Sequence, residues 1–242
     1  KELPRDILKN KKLKIGFDPK LFTEKSLNIF FGKTSCKYIP LKKNLIDEIW
    51  HRKKSRSVNK FYILPQSSVG EDHNSKIKKI ILNLKKNKAD LQFITASENN
   101  AWLLNIRGND SEYTPVPTSH ILIDKNKNIK FFCDLKKISN SLKKNLHKVK
   151  FFNIETLKTV LLKIYKKKII IDKNTCSIYY ENIILKNNKI LNQQDPINIL
   201  KAVKHKKEIE NIKQAHIYDG VALTKYLFWL KNNFQKKKIT EI

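Results

Sequence analysis

LQFITASENNAWLLNIRGNDSEYTPVPTSHILID, residues 91–124, is the stretch that decides the fold. Its opening residues, 91–95, are a short apolar run of the length of a buried strand. Ser97 is placed to cap a following helix, with Glu98 in the first turn, where a carboxylate meets the positive end of the helix dipole. Ala101, Trp102 and Leu104 give that helix an apolar face, and Gly108 is expected to end it. A polar loop with Arg107, Asn109, Asp110, Ser111 and Glu112 follows, closed by Pro115 and Pro117. Residues 120–124 return to strand.

The flanking sequence repeats the alternation. Before the stretch, residues 60–64 read as a strand, and 72–88 as a helix with Ile77, Ile80, Ile81 and Leu84 at helical spacing. After it, the polar turn at 124–128 predicts a hairpin of strands 119–123 and 129–133. Helices at 135–146, 154–165 and 175–185 then alternate with strands at 148–152 and 169–172, and Ile190 and Leu191 lead to Asp195-Pro196. The fold class expected is α/β, a mixed β-sheet flanked by helices. Upstream, residues 13–17 form a strand ending at Asp18-Pro19, and Thr23 caps a helix over 24–32. A short edge strand at 38–40 and a helical turn or two at 44–50 complete a piece too poor in apolar residues for a full core. Residues 51–59 are a charge-dense linker. Downstream, residues 198–203 lead into a helix over 206–234 with an apolar stripe from Ile209 to Leu230.

The chain has 242 residues, 40% of them hydrophobic and 10% aromatic, with a net charge of +29. A mean hydropathy of −0.52 and the aromatic content suit a soluble, folding chain. No apolar run approaches the ~20 residues of a membrane helix, and no signal peptide is visible. The charge raises the alternative of a basic nucleic-acid-binding module. Of the 51 basic residues, however, only Arg5, Arg52, Arg56 and Arg107 are arginine, and lysine is spread over the whole chain. That pattern suits a solvated lysine surface, and no specific nucleic-acid or membrane partner is expected. Cys36, Cys133 and Cys176 are far apart and show no metal-ligand spacing, so reduced cysteines in a cytoplasmic protein are expected. A chain that opens on lysine and has no methionine is expected to start inside a longer one.

Three segments carry a family resemblance. Residues 98–110 (ENNAWLLNIRGND) followed by Pro115-Val116 resemble the AWLxNxRGxD…NPV segment of aminopeptidase P, or Xaa-Pro aminopeptidase. That family belongs to the creatinase and prolidase group of pita-bread metallopeptidases. Ala202-Val203-Lys204, Glu208-Ile209 and residues 214–223, with Trp229-Leu230, are similar to the helix that opens its catalytic domain. Residues 14–19 (KIGFDP) and 45–50 (LIDEIW) make the third match. The segments stand in family order and point to the three-domain branch. The resemblance implies that residues 1–50 end a first creatinase-N-like domain, that 60–197 form a second, and that 198–242 begin a truncated pita-bread domain.

The resemblance also implies a parent enzyme that removes the N-terminal residue preceding proline. It would use two divalent metal ions, usually manganese, bound by aspartates, a histidine and glutamates, and would be a cytoplasmic homodimer through its catalytic domain. No residue of this chain matches those ligands, so no metal, no cofactor and no catalytic residue is assigned here. The fragment is expected to be inactive, a scaffold and substrate-access part. A metal-free pita-bread homologue acting as a binding protein is the alternative. His216 and Asp219 have i,i+3 spacing on the last helix, but the matching family segment supplies no ligands there. Arg107 and Asp110 are the substrate-proximal candidates, because a guanidinium holds a carboxylate in a fork and loops on rigid scaffolds carry function. The competing reading is that the two pair with each other or with backbone and shape the loop. Trp102 reads as core, and Tyr179-Tyr180 lack the basic surroundings of a base-stacking platform.

Overall fold

The computed structural model describes residues 4–50, 59–236 and 238–240. The linker read at 51–59 lies outside the described residues, apart from Asn59, as do residues 241 and 242. Two compact units emerge, one drawn from Lys1–Ile63 and His73–Ala202, the other from Leu64–Asp72 and Val203–Ile242.

The first unit opens with α1 (Pro4–Leu8), β1 (Lys14–Phe17), α2 (Glu24–Phe31), β2 (Lys37–Pro40) and α3 (Leu45–Ile49). β1 and β2 pair in parallel, Ile15 opposite Tyr38. Thr23 caps α2 as its sequence suggests: its hydroxyl accepts the Ser26 N–H at 3.1 Å, while the Thr23 N–H donates to Ser26 Oγ at 2.9 Å. Phe17 is buried, whereas Leu21, Leu45, Ile46, Ile49 and Trp50 stay exposed.

Next come β3 (Tyr62–Ile63), α4 (His73–Lys86), β4 (Leu91–Ile94), α5 (Ser97–Leu104) and β5 (Ile106–Arg107). The hairpin β6 (His120–Asp124) and β7 (Ile129–Cys133) leads to α6 (Asn140–Asn145) and β8 (Val149–Asn153). The unit ends with α7 (Leu157–Leu162), β9 (Lys168–Ile171), α8 (Ile178–Leu185), β10 (Lys189–Asn192) and α9 (Ile197–Ala202).

Six strands form one mixed sheet in the order β10-β9-β4-β6-β7-β8. β4 runs parallel to β9 and antiparallel to β6, and β7 runs parallel to β8. Period-2 alternation divides the apolar residues between two cores. Ile94, Ile121, Ile123, Phe131 and Ile170 face one core, with Ile80 and Leu84 of α4 and Leu103 of α5. Phe93, Leu122, Phe132, Ile169 and Ile171 face the other, with Leu157 and Leu161 of α7 and Ile184 of α8. Helices therefore cover both faces, and the expected α/β class stands. Cys133 and Cys176 are unpaired and buried, and burial pushes both thiols up to about 12.

Several local expectations are corrected. Only Thr95 and Ala96 separate β4 from α5, so Ala96, not Ser97, takes the N-cap position, without a side-chain cap. α5 stops at Leu104 because Asn105 adopts the left-handed conformation at φ 55°, so Gly108 does not end it. Gly108 is instead a point of close approach, where an added Cβ would lie 2.7 Å from Phe61 Cδ1 and 3.2 Å from the Pro117 Cα. Arg107 sits on the short strand β5, not on the loop. The helix expected over 135–146 is broken in two, because Ser139 is extended and caps α6 by accepting the Leu142 N–H at 3.1 Å. α7 and α8 begin later than expected, α7 behind a 3-10 turn at Ile154–Thr156. α1, β5, β10 and α9 carry too few residues to show a period.

The N-terminal segment is held to α8 through the helix's own orphan donors. The Ile178 N–H donates to Phe22 O at 2.9 Å and the Tyr179 N–H to Pro19 O at 3.0 Å. Lys173 Nζ bridges Glu24 at 3.1 Å and Glu181 at 2.6 Å.

The second unit is built on α10 (Lys206–Asn233), 28 residues long, none of them buried. His205 precedes it, and its N–H donates to Glu208 Oε2 at 2.9 Å. Asn211 Nδ2 donates to Ser67 O at 3.0 Å, and His205 Nε2 lies 3.6 Å from Glu71 Oε2.

His120 gives the first unit an acid limit. Its ring packs 5.8 Å from Phe93 and 5.2 Å from Tyr180, and burial pulls its pKa from 6.5 down to about 4 against a weaker backbone hydrogen bond at Thr95. Only the unfolded chain takes up this proton between pH 6.5 and 4, so the stabilisation is complete above that window and lost as pH falls through it. The difference amounts to about 3 kcal/mol. Urea unfolding at pH 7 and pH 4 should show His120→Leu losing that much less stability than wild type. Equal losses would remove His120 as the cause.

Candidate functional site

Arg107 is positioned by two neighbours of β5. On one side β5 pairs antiparallel with β3, Tyr62 opposite Arg107. On the other, the left-handed Asn105 turns the chain directly out of α5. The guanidinium folds back over the end of that helix, its Nη1 donating to Ile106 O at 2.9 Å and, more weakly, to Ala101 O at 3.4 Å. Cations suit a helix C-terminus, where unpaired carbonyls collect. Half-burial lowers the Arg107 pKa, and the group remains a cation. Among the described residues Nη1 alone makes these bonds, which leaves Nε and Nη2 for another acceptor.

Asp110 follows different chemistry. Its Oδ1 pairs with Lys137 Nζ and its Oδ2 accepts the Thr118 N–H at 2.8 Å. Both side chains of the ion pair are only 7% exposed, so this is a desolvated pair rather than a surface bridge. Lys137 Nζ also lies 5.9 Å from the Phe61 ring centre, and the Lys137 carbonyl accepts the Phe61 N–H at 2.9 Å. Asp110 thus clamps the loop ahead of β6 to the turn before α6. Arg107 and Asp110 form no ion pair with each other.

Sequence reading missed two polar groups beside them. Lys76 of α4 is buried; its Nζ donates to Trp102 O at 2.9 Å and Asn105 Oδ1 at 2.5 Å, and sits 4.0 Å from the Trp102 ring centre. The second group centres on Asn99, which is fully buried. Asn99 Nδ2 donates to Asp195 Oδ2 at 2.7 Å, and Lys201 Nζ donates to Asn99 Oδ1 at 2.6 Å. Asp195 Oδ1 also accepts from Gln92 and from the Ile197 N–H that starts α9. Burial raises the Asp195 pKa above the usual carboxylate value. Asn99 and Asn100, adjacent just before the apolar run Ala101–Leu104 of α5, were the sequence signal for this group.

The remaining candidates do not gather around Arg107. His216 and Asp219 are exposed on α10. Among the described residues no group of three or more His, Cys, Asp or Glu could hold a metal ion. Trp102 packs against the core as expected. Tyr180 lies against His120 and Phe93, and Tyr179 receives Lys20 over its ring at 5.3 Å.

Comparison with known proteins gives one picture. A family model described as the Creatinase/Prolidase N-terminal domain matches residues 52–208. Xaa-Pro aminopeptidase 1 of Dictyostelium discoideum is 30% identical over 94% of this chain and 38% of its own length. Xaa-Pro aminopeptidase ApepP of Drosophila melanogaster is 28% identical over 92% of this chain and 38% of its own length. The X-prolyl aminopeptidase of Caenorhabditis elegans, described as a cytosolic enzyme with a di-nuclear active site, superposes with a TM-score of 0.79 at 23% identity. It is matched over 93% of this chain and 38% of that one, and at this identity the likeness is one of fold. The chain thus spans 38% of the length of each of these relatives.

The Asp110–Lys137 pair yields a test of its own. Lys137→Met strands a buried carboxylate and should remove about 3–5 kcal/mol of stability in urea unfolding. Adding Asp110→Asn should restore much of it. Equal instability of the single and double variants would show that the pair is not the clamp.

Proposed function

The chain belongs to the Creatinase/Prolidase N-terminal domain family, and on that premise we propose that it is the non-catalytic part of a longer Xaa-Pro aminopeptidase. The parent enzyme removes the N-terminal residue that precedes proline in a peptide. The observation that carries this reading is the similarity to Xaa-Pro aminopeptidases over more than nine-tenths of the chain. In this proposal residues 1–50 close a first domain, 51–59 link it to a second at 60–197, and 198–242 open the catalytic domain. The parent is a cytoplasmic homodimer joined through that domain.

Two divalent metal ions, manganese in this proposal, would supply Lewis-acid chemistry when bound in the remainder of the parent, and no residue of this chain is assigned to hold them. The described residues of this chain offer them no ligand cluster, so their ligands belong to the remainder of the parent. This chain contributes shape and access. Arg107 is proposed to face the substrate, its free Nε and Nη2 receiving the carboxylate of a longer peptide, while Asp110 holds the neighbouring loop in place. A parent that had lost its metal ligands would be a binding protein instead, and a peptidase assay on the full reading frame separates the two.

Two measurements follow. The 242-residue chain should neither retain manganese at equimolar level after dialysis nor cleave Xaa-Pro tripeptides, whereas the full-length product should do both. Stoichiometric metal in the short chain, or an inert full-length product, would overturn the assignment. In the full-length enzyme, Arg107→Ala should raise KM for tripeptides by the worth of a charge-assisted hydrogen bond, ~1.5–3 kcal/mol, with kcat changed less. A lower Tm with unchanged KM would make Arg107 purely structural.

A further inference from the structure

The sequence spreads lysine over the whole chain, but the fold does not leave it evenly spread. Strand register brings five turns to one end of the six-stranded sheet. Leu91, the first residue of β4, lies opposite Asp124, the last of β6, and opposite Ile169 near the start of β9. Lys189 opposite Lys168 adds the start of β10, and Ile129 opposite Val149 adds the starts of β7 and β8. Each of α4, α6, α7 and α8 runs into the strand that follows it, so four helix C-termini reach the same end.

These turns carry Lys88, Lys127, Lys148, Lys166, Lys167 and Lys189, all exposed and none in an ion pair among the described residues. The acids there, Asp90 and Asp124, are engaged. Asp90 binds Lys125 at 3.0 Å and the Lys168 N–H at 3.0 Å, and Asp124 accepts the Asn126 and Asn128 N–H groups within its own turn. At the opposite end Lys173 lies between Glu24 and Glu181 and Lys137 is paired with Asp110, while Lys136 stays exposed.

Two further features bear on the partner. Lys88, Lys127 and Lys166 occupy left-handed backbone positions, at φ 48°, 71° and 51°, where glycine or asparagine is the easier residue. Tyr165, between Lys163 and Lys166, is 63% exposed. Neighbouring strands stand about 4.8 Å apart, so the lysines form a row of about 24 Å across six strands. None of these turns contains arginine. Point charges in a row, one exposed ring and no guanidinium forks suit contact with a phosphodiester backbone and one stacked base, not readout of base edges.

We infer that the end of the sheet formed by these five turns is a sequence-tolerant docking surface for single-stranded nucleic acid. The surface needs no catalytic domain and is independent of the peptidase assignment.

The test uses the full 242-residue chain and a fluorescein-labelled 20-nucleotide oligouridylate, with anisotropy read across a salt series. One variant replaces Lys88, Lys127, Lys166, Lys167 and Lys189 by glutamine. A matched variant does the same at Lys42, Lys78, Lys213, Lys225 and Lys231, which are also exposed. The first should weaken binding roughly tenfold or more and flatten the log–log salt slope by about 0.7 for each phosphate that is no longer neutralised. The second should change both far less, and an oligocytidylate should bind wild type about as well. Equal weakening by both variants, or no binding by wild type at 0.1 M salt, overturns the inference. So does binding only to phosphatidylserine vesicles, which would make the surface a membrane contact. As a check independent of variant folding, bound oligouridylate should shield Lys88, Lys127, Lys166, Lys167 and Lys189 of wild type from acetylation. Uniform labelling with and without it refutes the site.

Discussion

Phe93 and Ile94 are neighbours in β4, and they point to opposite faces of the sheet. That single step of alternation imposes the architecture. A central strand apolar on both sides must be covered on both sides. α4 and α5 cover Ile94, and α7 and α8 cover Phe93. The connections follow: α4 and α7 each lead into a strand of the central parallel pair β4 and β9, and α8 leads into β10 beside them. The polar groups then have two places to go, the two ends of the sheet, and the two ends use them differently.

Where β4 and β9 finish, carboxylates and amides are sunk into the structure and tied to one another. Asp172 Oδ2 accepts the Asp195 N–H at 3.0 Å, and Asp195 in turn holds Asn99, Gln92 and the first N–H of α9. A buried carboxylate is tolerable only with such a full set of donors. Where the same strands begin, the groups are lysines at helix C-termini and turns, favourable to the helix dipoles and open to water. Lysines serve both ends, tied to carboxylates and amides at one (Lys137, Lys173, Lys201) and mostly open to water at the other, and the register of the sheet decides which lysine stands where.

This division explains what could be read in advance. A short apolar run marked β4, the polar turn at 124–128 marked the β6–β7 hairpin, helical spacing marked α4, and cap chemistry marked the start of α2 at Thr23. Pairings of two residues have no period, so β3 with β5 was invisible, and with it the true setting of Arg107. Gly108 was the expected end of α5, but the left-handed turn falls at Asn105, and Gly108 is needed instead where Phe61 packs against it. The Asp110–Lys137 pair spans 27 positions in a chain where lysine is everywhere, so no local signal selected that lysine over the rest. Asn99 and Asp195 were harder still. A polar residue on an apolar helix face reads as a break in the pattern, and its partner lies 96 positions away.

The end of α5 joins these threads. The Asn105 N–H is shared between the Ala101 and Trp102 carbonyls at the end of this eight-residue helix. Two cations add to them, Lys76 on Trp102 O and Arg107 on Ala101 O, while Asn105 supplies a side-chain acceptor to Lys76. Lys76 is enclosed and stacked on Trp102, so its charge is committed to the fold. Arg107 is committed through one nitrogen only and is half-buried opposite Tyr62. If both cations served the helix equally, the half-buried Arg107 would be redundant, since Lys76 already meets its acceptors at shorter distance. The asymmetry in their burial and bonding is what supports the proposal that Arg107, rather than Lys76, faces a partner.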